Sequence, residues 1–283
     1  MQIELIDTFL DLMETKSFNR TAERLGVTQS TISHRIAALE TVLQRKLFTR
    51  NRAGTAPSAA GMRFAEHARS LRHQWQEASR AVQTAGSFDM SMRLGIQHDL
   101  TEILAEDWIG AIRRTMPAVS LYIEADYSGQ MNADLVSGEL DLALMYTPRH
   151  MPDLHYTLIG EVRYVLVSTV TDRLADVVVE RYVRASYSPS FNAAHAILHP
   201  HLGNALIASG QNATVTRLLL NLGGSAYVLE NSAARMIAGG QCRRVFDAEP
   251  IAQNVHVAVH VRHRHSHPHK KIVNLLAGHF KTG

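Results

Sequence analysis

Cysteine is nearly absent from this chain of 283 residues, which contains only Cys242. A single cysteine excludes a framework of disulfides within the chain and is typical of a reducing compartment. The sequence also lacks any uncharged apolar run of about 18 residues, the length expected of a membrane-spanning helix, and any basic leader followed by an apolar segment. We therefore expect a cytoplasmic protein with no membrane partner.

Charged residues are also scarce, at 19% of the chain, whereas 46% of the residues are hydrophobic. This composition excludes a disordered chain and predicts sizeable cores, which the length would divide among two or three domains. The net charge is only +3, yet basic residues outnumber acidic ones over residues 1–86, and the remainder carries a slight negative charge. A surface that binds phosphates is therefore expected near the N-terminus.

Catalytic sequence motifs are missing as well. The pairs Gly223-Gly224 and Gly239-Gly240 are turn signals without a phosphate-loop lysine or the spaced glycines of a dinucleotide site. The sequence contains neither a Gly-x-Ser-x-Gly elbow nor a metalloprotease helix. We therefore expect neither an enzyme nor a bound cofactor.

The most informative segment that is present spans residues 17–40, SFNRTAERLGVTQSTISHRIAALE. Its pattern predicts two short helices, with Gly26 ending the first and Thr28 capping the second. The second helix has a buried stripe at helical spacing: Ile32, Ile36, Leu39 and Leu43. Its polar N-terminal turn would then face outward, as in a helix that enters the major groove of DNA. The alternative is an ordinary helical hairpin with a solvated face.

A short basic hairpin around residues 51–54 and a helix of nearly thirty residues from Ser58 follow. The hairpin is suited to lie beside DNA as a wing. The long helix needs a partner for its apolar stripe, either a second copy of the chain or its own domain. The candidate DNA-binding residues are Thr28, Gln29, Ser30, Thr31, Ser33, His34, Arg35, Arg50 and Arg52. The candidate dimerisation residues are Leu71, Trp75, Ala78 and Val82.

Residues 1–86 resemble the winged helix-turn-helix and linker helix of LysR-type transcriptional regulators. The resemblance is carried by Phe9 and by the segments SFNRTAERLGVTQSTIS, IAALE, KLFTR and TAPSAAG, with their spacing intact over about sixty residues. His34 and Arg35 depart from the Arg-Gln pair that is frequent in the family, so base preference does not carry over. The resemblance implies double-stranded DNA as a partner, a homodimer or homotetramer, and action on RNA polymerase at promoters.

The rest of the chain alternates between strand and helix patterns, which predicts parallel strands with crossover helices in two α/β subdomains. The resemblance implies a two-lobed, periplasmic-binding-protein-like effector domain, in which the chain crosses twice between lobes. The predicted domains are a winged helix-turn-helix at 1–57, a linker helix and hinge at 58–87, and an effector domain at 88–283. Lobe 1 would comprise about 88–162 and 263–283, and lobe 2 about 163–262.

Polar side chains at the expected ends of these strands form a candidate effector site. Asp99 and Glu102 resemble a capping box, whose helix start would offer free amide groups to an anion. The candidate effector-binding residues are Gln97, His98, Thr101, Ser128, Gly129, Ser186 and Ser209. In the family, residues at such places commonly hold small organic effectors, often carboxylates. The alternative is that each polar group merely caps its own helix.

Histidines are concentrated in HVAVHVRHRHSHPH, at positions 256, 260, 263, 265, 267 and 269. On a continuous strand, His263, His265 and His267 would share one face and His256 and His260 the other. A metal-responsive regulator is one interpretation, and a solvated interlobe strand is the one we favour.

A DNA-binding repressor or architectural protein that needs no effector is a further alternative to the effector-modulated regulator.

Overall fold

The computed structural model describes residues 3–51, 54–83 and 90–280. They form two compact units, the first made chiefly of residues up to Ser91 and the second chiefly of residues from Met92 onward. No helix among the described residues is both long enough and apolar enough to cross a bilayer. The domain limits given above stay a prediction.

The first unit is a helical domain with a two-stranded hairpin. Its elements are α1 (Ile3–Thr15), α2 (Phe18–Leu25), α3 (Gln29–Leu43), β1 (Phe48–Asn51), β2 (Gly54–Pro57) and α4 (Ala59–Gln83). Phe9 lies at the centre of the core, with its ring centroid 5.4 Å from that of Phe48 and 5.1 Å from that of Phe64. Ile32, Ile36 and Leu39 are buried against it and Leu43 is partly buried, which confirms the predicted stripe of α3.

The second unit combines sheets and helices. Its strands are β3 (Met90–Gln97), β4 (Val119–Asp126), β5 (Leu142–Met145), β6 (Leu154–Ser168), β7 (Val183–Ala185), β8 (Ile207–Ser209), β9 (Ser225–Leu229), β10 (Arg243–Arg244) and β11 (Ile251–His260). Its helices are α5 (Thr101–Thr115), α6 (Ser128–Ser137), α7 (Pro189–Leu198), α8 (Asn212–Leu222), α9 (Glu230–Ala238) and α10 (His267–His279). The predicted alternation of strands and helices is confirmed.

The main sheet is mixed, so the prediction of parallel strands is only partly correct. Its order is β10-β6-β11-β5-β3-β4, and β9 also pairs with β6. Strands β3 and β5 are parallel, but β11 is antiparallel to both β5 and β6. Apolar periodicity reveals that a segment is a strand, but the direction of its partner depends on pairing between distant segments.

Strands β6 and β11 are shared by two lobes. The first part of β6, up to Tyr164, pairs with β11, whereas its last residues, from Tyr164 to Ser168, pair with β9. Strand β11 shifts register between Val255 and His256 and then pairs with β5. Lobe 1 is built around β3, β4 and β5, and lobe 2 around β7, β8 and β9. The two lobes are therefore connected by a pair of antiparallel strands, and a cleft lies between them.

Candidate DNA-binding surface and effector cavity

The turn between α2 and α3 is defined by residues that cap the start of each helix and by a glycine that ends α2. Ser17 caps α2 by accepting a hydrogen bond from the Arg20 amide, and Thr28 caps α3 by accepting one from the Thr31 amide at 3.2 Å. Gly26 ends α2 with φ of 63°, in the left-handed region that glycine adopts at little cost. The predicted break and cap are confirmed.

The first turn of α3 presents hydroxyl and amide groups to solvent. Thr28, Gln29, Ser30 and His34 are exposed, and Thr31 and Ser33 are half-buried. The Thr28 hydroxyl lies 2.8 Å from that of Ser30, and Gln29 Nε2 donates to Ser33 Oγ at 3.2 Å. These bonds pre-order the side chains without burying them. The surface can therefore offer donors and acceptors to base edges.

Arg35 is oriented differently from the rest of the predicted surface. Its guanidinium donates to the hydroxyl of Thr8, a fully buried residue of α1, at 3.3 Å. This bond ties α3 to α1. The guanidinium thus has an intradomain partner, unlike the exposed side chains of Gln29 and His34.

The hairpin predicted as a wing is present. Strands β1 and β2 are antiparallel, with Phe48 opposite Pro57 and Arg50 opposite Thr55. Glu40 of α3 anchors the base of the hairpin, since its buried carboxylate accepts hydrogen bonds from Lys46 Nζ at 2.7 Å and from the Leu47 amide at 2.8 Å. Arg50 lies on β1, and the predicted contact Arg52 lies outside the described residues.

The long helix α4 uses its apolar residues in two ways. Near its start, Ala65 and Ala68 are buried in the core of the first unit. Further along, the four predicted dimerisation residues Leu71, Trp75, Ala78 and Val82 are exposed, Trp75 by 55% and Val82 by 77%. The early part of the apolar stripe of α4 thus packs against its own domain, and the later part is exposed to solvent.

A cavity of about 250 Å³ lies between the two lobes of the second unit. Lobe 1 contributes Gln97, Tyr127, Ser128, Gly129, Thr147 and Arg149, and lobe 2 contributes Ser186, Tyr187, Ser188, Pro189 and Asn192. Helices α6 and α7 begin at this cavity, so their N-terminal ends add a positive potential. None of these lining residues is acidic, and Arg149 supplies a positive charge.

Four of the seven predicted effector residues line the cavity: Gln97, Ser128, Gly129 and Ser186. The other three, His98, Thr101 and Ser209, do not. The ring of His98 packs edge-on against Tyr127, and the hydroxyl of Thr101 donates to the carbonyl of His98. Sequence reasoning missed Arg149, Thr147 and the start of α7, although the Ser188-Pro189 pair is a recognisable helix-start signal.

The expected capping box at Asp99 is wrong. Asp99 is 1% exposed, and its carboxylate accepts a hydrogen bond from the Tyr164 hydroxyl at 2.6 Å and one from the Asn212 amide at 3.4 Å. Helix α5 instead starts behind a short 3₁₀ turn, with no side-chain cap. Burial and the neighbouring Tyr146 and Asp99 raise the pKa of Tyr164 well above its ordinary value, so this hydroxyl remains a donor. Asp99 therefore links lobe 1 to lobe 2.

Some polar groups at the cavity are held by hydrogen bonds, and others are buried without a hydrogen-bond partner. Gln97 accepts from Ser128 Oγ at 2.9 Å and donates to the Tyr187 carbonyl at 3.3 Å, which holds it across the cleft. Asn192 donates to Ser186 Oγ at 2.9 Å, but its Oδ1 is buried without a hydrogen-bond partner, as is Thr147 Oγ1. A buried polar atom without a partner costs free energy that a ligand or water can recover.

Comparison with known proteins assigns both units. Residues 3–62 match the family model described as "Bacterial regulatory helix-turn-helix protein, lysR family". Residues 85–281 match the model described as "LysR substrate binding domain". This chain belongs to the LysR family. It is a LysR-type transcriptional regulator, with a helix-turn-helix domain followed by an effector-binding domain.

Individual relatives of this LysR-family chain agree with that assignment. The HTH-type transcriptional regulator HdfR of Escherichia coli is 29% identical over 194 residues, which cover 68% of each chain. Full-length LysG of Corynebacterium glutamicum, solved with bound effector Arg, has a TM-score of 0.62 and 17% identity, covering 100% and 99% of the two chains. DarR of Vibrio fischeri, solved in complex with DNA, has a TM-score of 0.59 and 19% identity, covering 98% of each. At these identities the two structures show the fold alone.

The histidine-rich segment of this LysR-family regulator differs from the expected continuous strand. Strand β11 ends at His260, a 3₁₀ turn spans Val261–His263, and α10 begins at His267 with Pro268 in its first turn. Proline at that position favours the start of a helix. The alternation of histidine with other residues therefore does not continue as a strand beyond His260. The rings of His263 and His269 are stacked, with centroids 4.6 Å apart and 11° between their planes. Among the described residues, no three His, Cys, Asp or Glu side chains form a metal-binding group.

Proposed function

We propose that this regulator binds an interrupted palindrome in double-stranded DNA as a homo-oligomer and is modulated by a small organic effector between its lobes. It would act in the cytoplasm and influence RNA polymerase at promoters. The observation that carries the proposal is the combination of an exposed polar turn on α3 with a non-acidic interlobe cavity containing unmet hydrogen-bonding atoms.

In the DNA-binding part of the proposal, α3 contacts bases and the wing contacts phosphates. Gln29 is exposed at the leading end of α3, where an amide side chain can pair with adenine in the major groove. Arg50 and Arg52 belong to the basic hairpin and would contact phosphates, which carry no sequence information. Two copies would each read one half-site, because the exposed residues of α4 would pair their domains.

Fluorescence anisotropy with duplexes tiled across the DNA that flanks the coding region tests this part. We expect one tile to bind far more tightly than the others at moderate salt. Gln29→Ala should reduce discrimination among tiles. Arg50→Ala and Arg52→Ala should weaken binding to all tiles and each lower the salt slope by about one. Arg163→Ala, at an exposed arginine of the second unit, is the matched control. Equal loss of discrimination in all three variants, or uniform binding by the unchanged protein, would contradict these roles.

The effector part rests on the chemistry of the interlobe cavity. Arg149 and the starts of α6 and α7 favour a negative group, such as a carboxylate. Asn192 Oδ1 can only accept a hydrogen bond, so it requires a donor on the ligand. These features together favour a small carboxylate that also carries a hydroxyl or amino group. Binding of this effector would change the affinity of the protein for DNA. The size of that change is limited by the difference between the effector's affinities for the two arrangements of the lobes.

A panel of small hydroxy acids, amino acids, amines and nucleotides tests this part, with melting temperature and DNA affinity measured in parallel. A ligand at 100 times its Kd should stabilise the folded protein by about 2.7 kcal/mol. Arg149→Gln should remove the response to the active acid, and Arg163→Gln should retain it. If no compound changes either the melting temperature or the DNA affinity, a regulator that needs no effector becomes the better description.

A further inference from the structure

A second cavity, of about 310 Å³, lies within lobe 1. It is open to solvent on one side and is lined by residues of β6, β11, the turn that follows β11, and α10. Six of its lining residues are basic or can become so: His155, His263, Arg264, His265, His269 and Lys270. Two others, Thr157 and Asn274, are neutral hydrogen-bonding residues. None of the described residues that line this cavity is acidic, which leaves its positive charge without a counter-charge in the lining.

We propose that this basic cavity binds a small multivalent oxyanion, carrying phosphate or several carboxylate groups, more tightly as the pH falls. The site is distinct from the interlobe cavity, because the two cavities have no lining residue in common. The proposal therefore goes beyond the proposed function and does not depend on it.

The arrangement of the basic groups favours an anion over a metal ion. Arg264 and Lys270 carry permanent positive charges on the turn and on α10, and both are exposed enough to move toward a ligand. Their charges repel a cation. The ring of His263 stacks on that of His269, whose Nδ1 lies 3.0 Å from Ser266 Oγ. This packing brings two imidazoles, each a hydrogen-bond donor when protonated, to one wall of the cavity. A compact oxyanion accepts several such bonds at once.

Histidine titration gives the site its dependence on pH. His155 faces the cavity from β6, where burial, together with the charges of Arg264 and His265, lowers its pKa. The remaining charged or titratable residues that face it are His263 on the turn and His269 and Lys270 on α10. An anion bound there would favour the protonated form of His155 and so oppose the factors that lower its pKa. By linkage, the anion binds more tightly at low pH, where His155 is protonated, than at high pH, where it is neutral.

Isothermal titration calorimetry of sulfate into the full-length protein tests the proposal. Sulfate remains a dianion between pH 6 and pH 8, so any change in affinity over this range comes from the protein. At constant ionic strength we expect about tenfold tighter binding at pH 6 than at pH 8. Methanesulfonate, which carries a single charge, should bind much more weakly. Pyrophosphate and citrate, compared at pH 6, then distinguish a phosphate-bearing ligand from a polycarboxylate.

Three variants locate the binding. The double change Arg264→Gln with Lys270→Gln should abolish the sulfate heats, and Arg173→Gln with Arg243→Gln, at two exposed arginines of lobe 2, should leave them unchanged. His155→Gln should reduce the pH dependence. Melting curves verify that each variant is folded. The proposal is overturned if both double variants bind sulfate equally, if only Arg149→Gln loses binding, or if affinity is the same at pH 6 and pH 8.

Discussion

At the scale of single residues, the absence of a side chain at Gly61 allows the start of α4 to pack closely against the segment that leads into the wing. A Cβ atom at this position would lie 2.2 Å from the carbonyl oxygen of Leu47. That carbonyl already accepts a hydrogen bond from the Ser58 amide at 2.8 Å. The backbone therefore cannot withdraw without breaking the bond that anchors the start of α4.

We expect Gly61→Ala to destabilise the first unit by about 1–3 kcal/mol, the usual cost of overpacking. The change should lower the melting temperature of that unit and weaken DNA binding in proportion. Gly278→Ala is the matched control, because a Cβ there meets nothing within 4 Å. Equal melting temperatures for the two variants would show that the contact with Leu47 is not limiting.

Residue patterns predicted local structure well and distant partners poorly. Gly26 and Thr28 were assigned correctly because a helix end depends on neighbours within a few positions. Asp99 was misassigned because its partners, Tyr164 and Asn212, are separated from it by 65 and 113 positions. Arg149 was missed for the same reason, since it reaches the interlobe cavity only through the fold.

At the scale of elements, the wing is fastened to α3 by the carboxylate of Glu40. Burial disfavours its charge, but hydrogen bonds from Lys46 and from the amides of Leu47 and Phe48 outweigh that effect and lower its pKa. Its folded pKa thus lies below the unfolded one, so the stabilisation is complete above the unfolded pKa. It is lost as the pH falls through the folded pKa.

We expect Glu40→Gln to cost about 1–3 kcal/mol at pH 7, because charge-assisted bonds to two amides and an ammonium are weakened. Melting curves between pH 3 and pH 7 should show the gap between the variant and the unchanged protein narrowing toward acid. Glu66→Gln, at an exposed carboxylate of α4, should show no such gap. A gap independent of pH would mean that Glu40 contributes by packing and not by charge.

The positions of α3 and α4 were predictable because their apolar periodicity is strong. The direction of β11 and its end at His260 were not. Histidine alternates there with valine and arginine, a pattern that also fits a strand. The turn and the start of α10 are favoured by Pro268 and by packing of Ile272 and Leu276, which are buried.

At the scale of the whole molecule, the exposed apolar residues of α4 bear on how two recognition helices are spaced. Trp75, Ala78 and Val82 lie on a helix of 25 residues, which spans roughly 37 Å at 1.5 Å per residue. An exposed tryptophan on such a helix favours burial against a second copy. Two paired helices would set a fixed separation between the DNA-reading turns.

Duplexes with altered half-site separation test this whole-molecule prediction with Trp75→Glu. Adding about 5 bp between the half-sites should weaken binding by the unchanged protein strongly, because it rotates one half-site by about half a helical turn. Trp75→Glu should sediment as a smaller species and bind both duplexes equally weakly, since a charge at the interface separates the copies. Gln74→Glu adds the same charge at an adjacent exposed polar position and should keep the dependence on spacing. An unchanged oligomer in Trp75→Glu would place the pairing surface elsewhere on the chain.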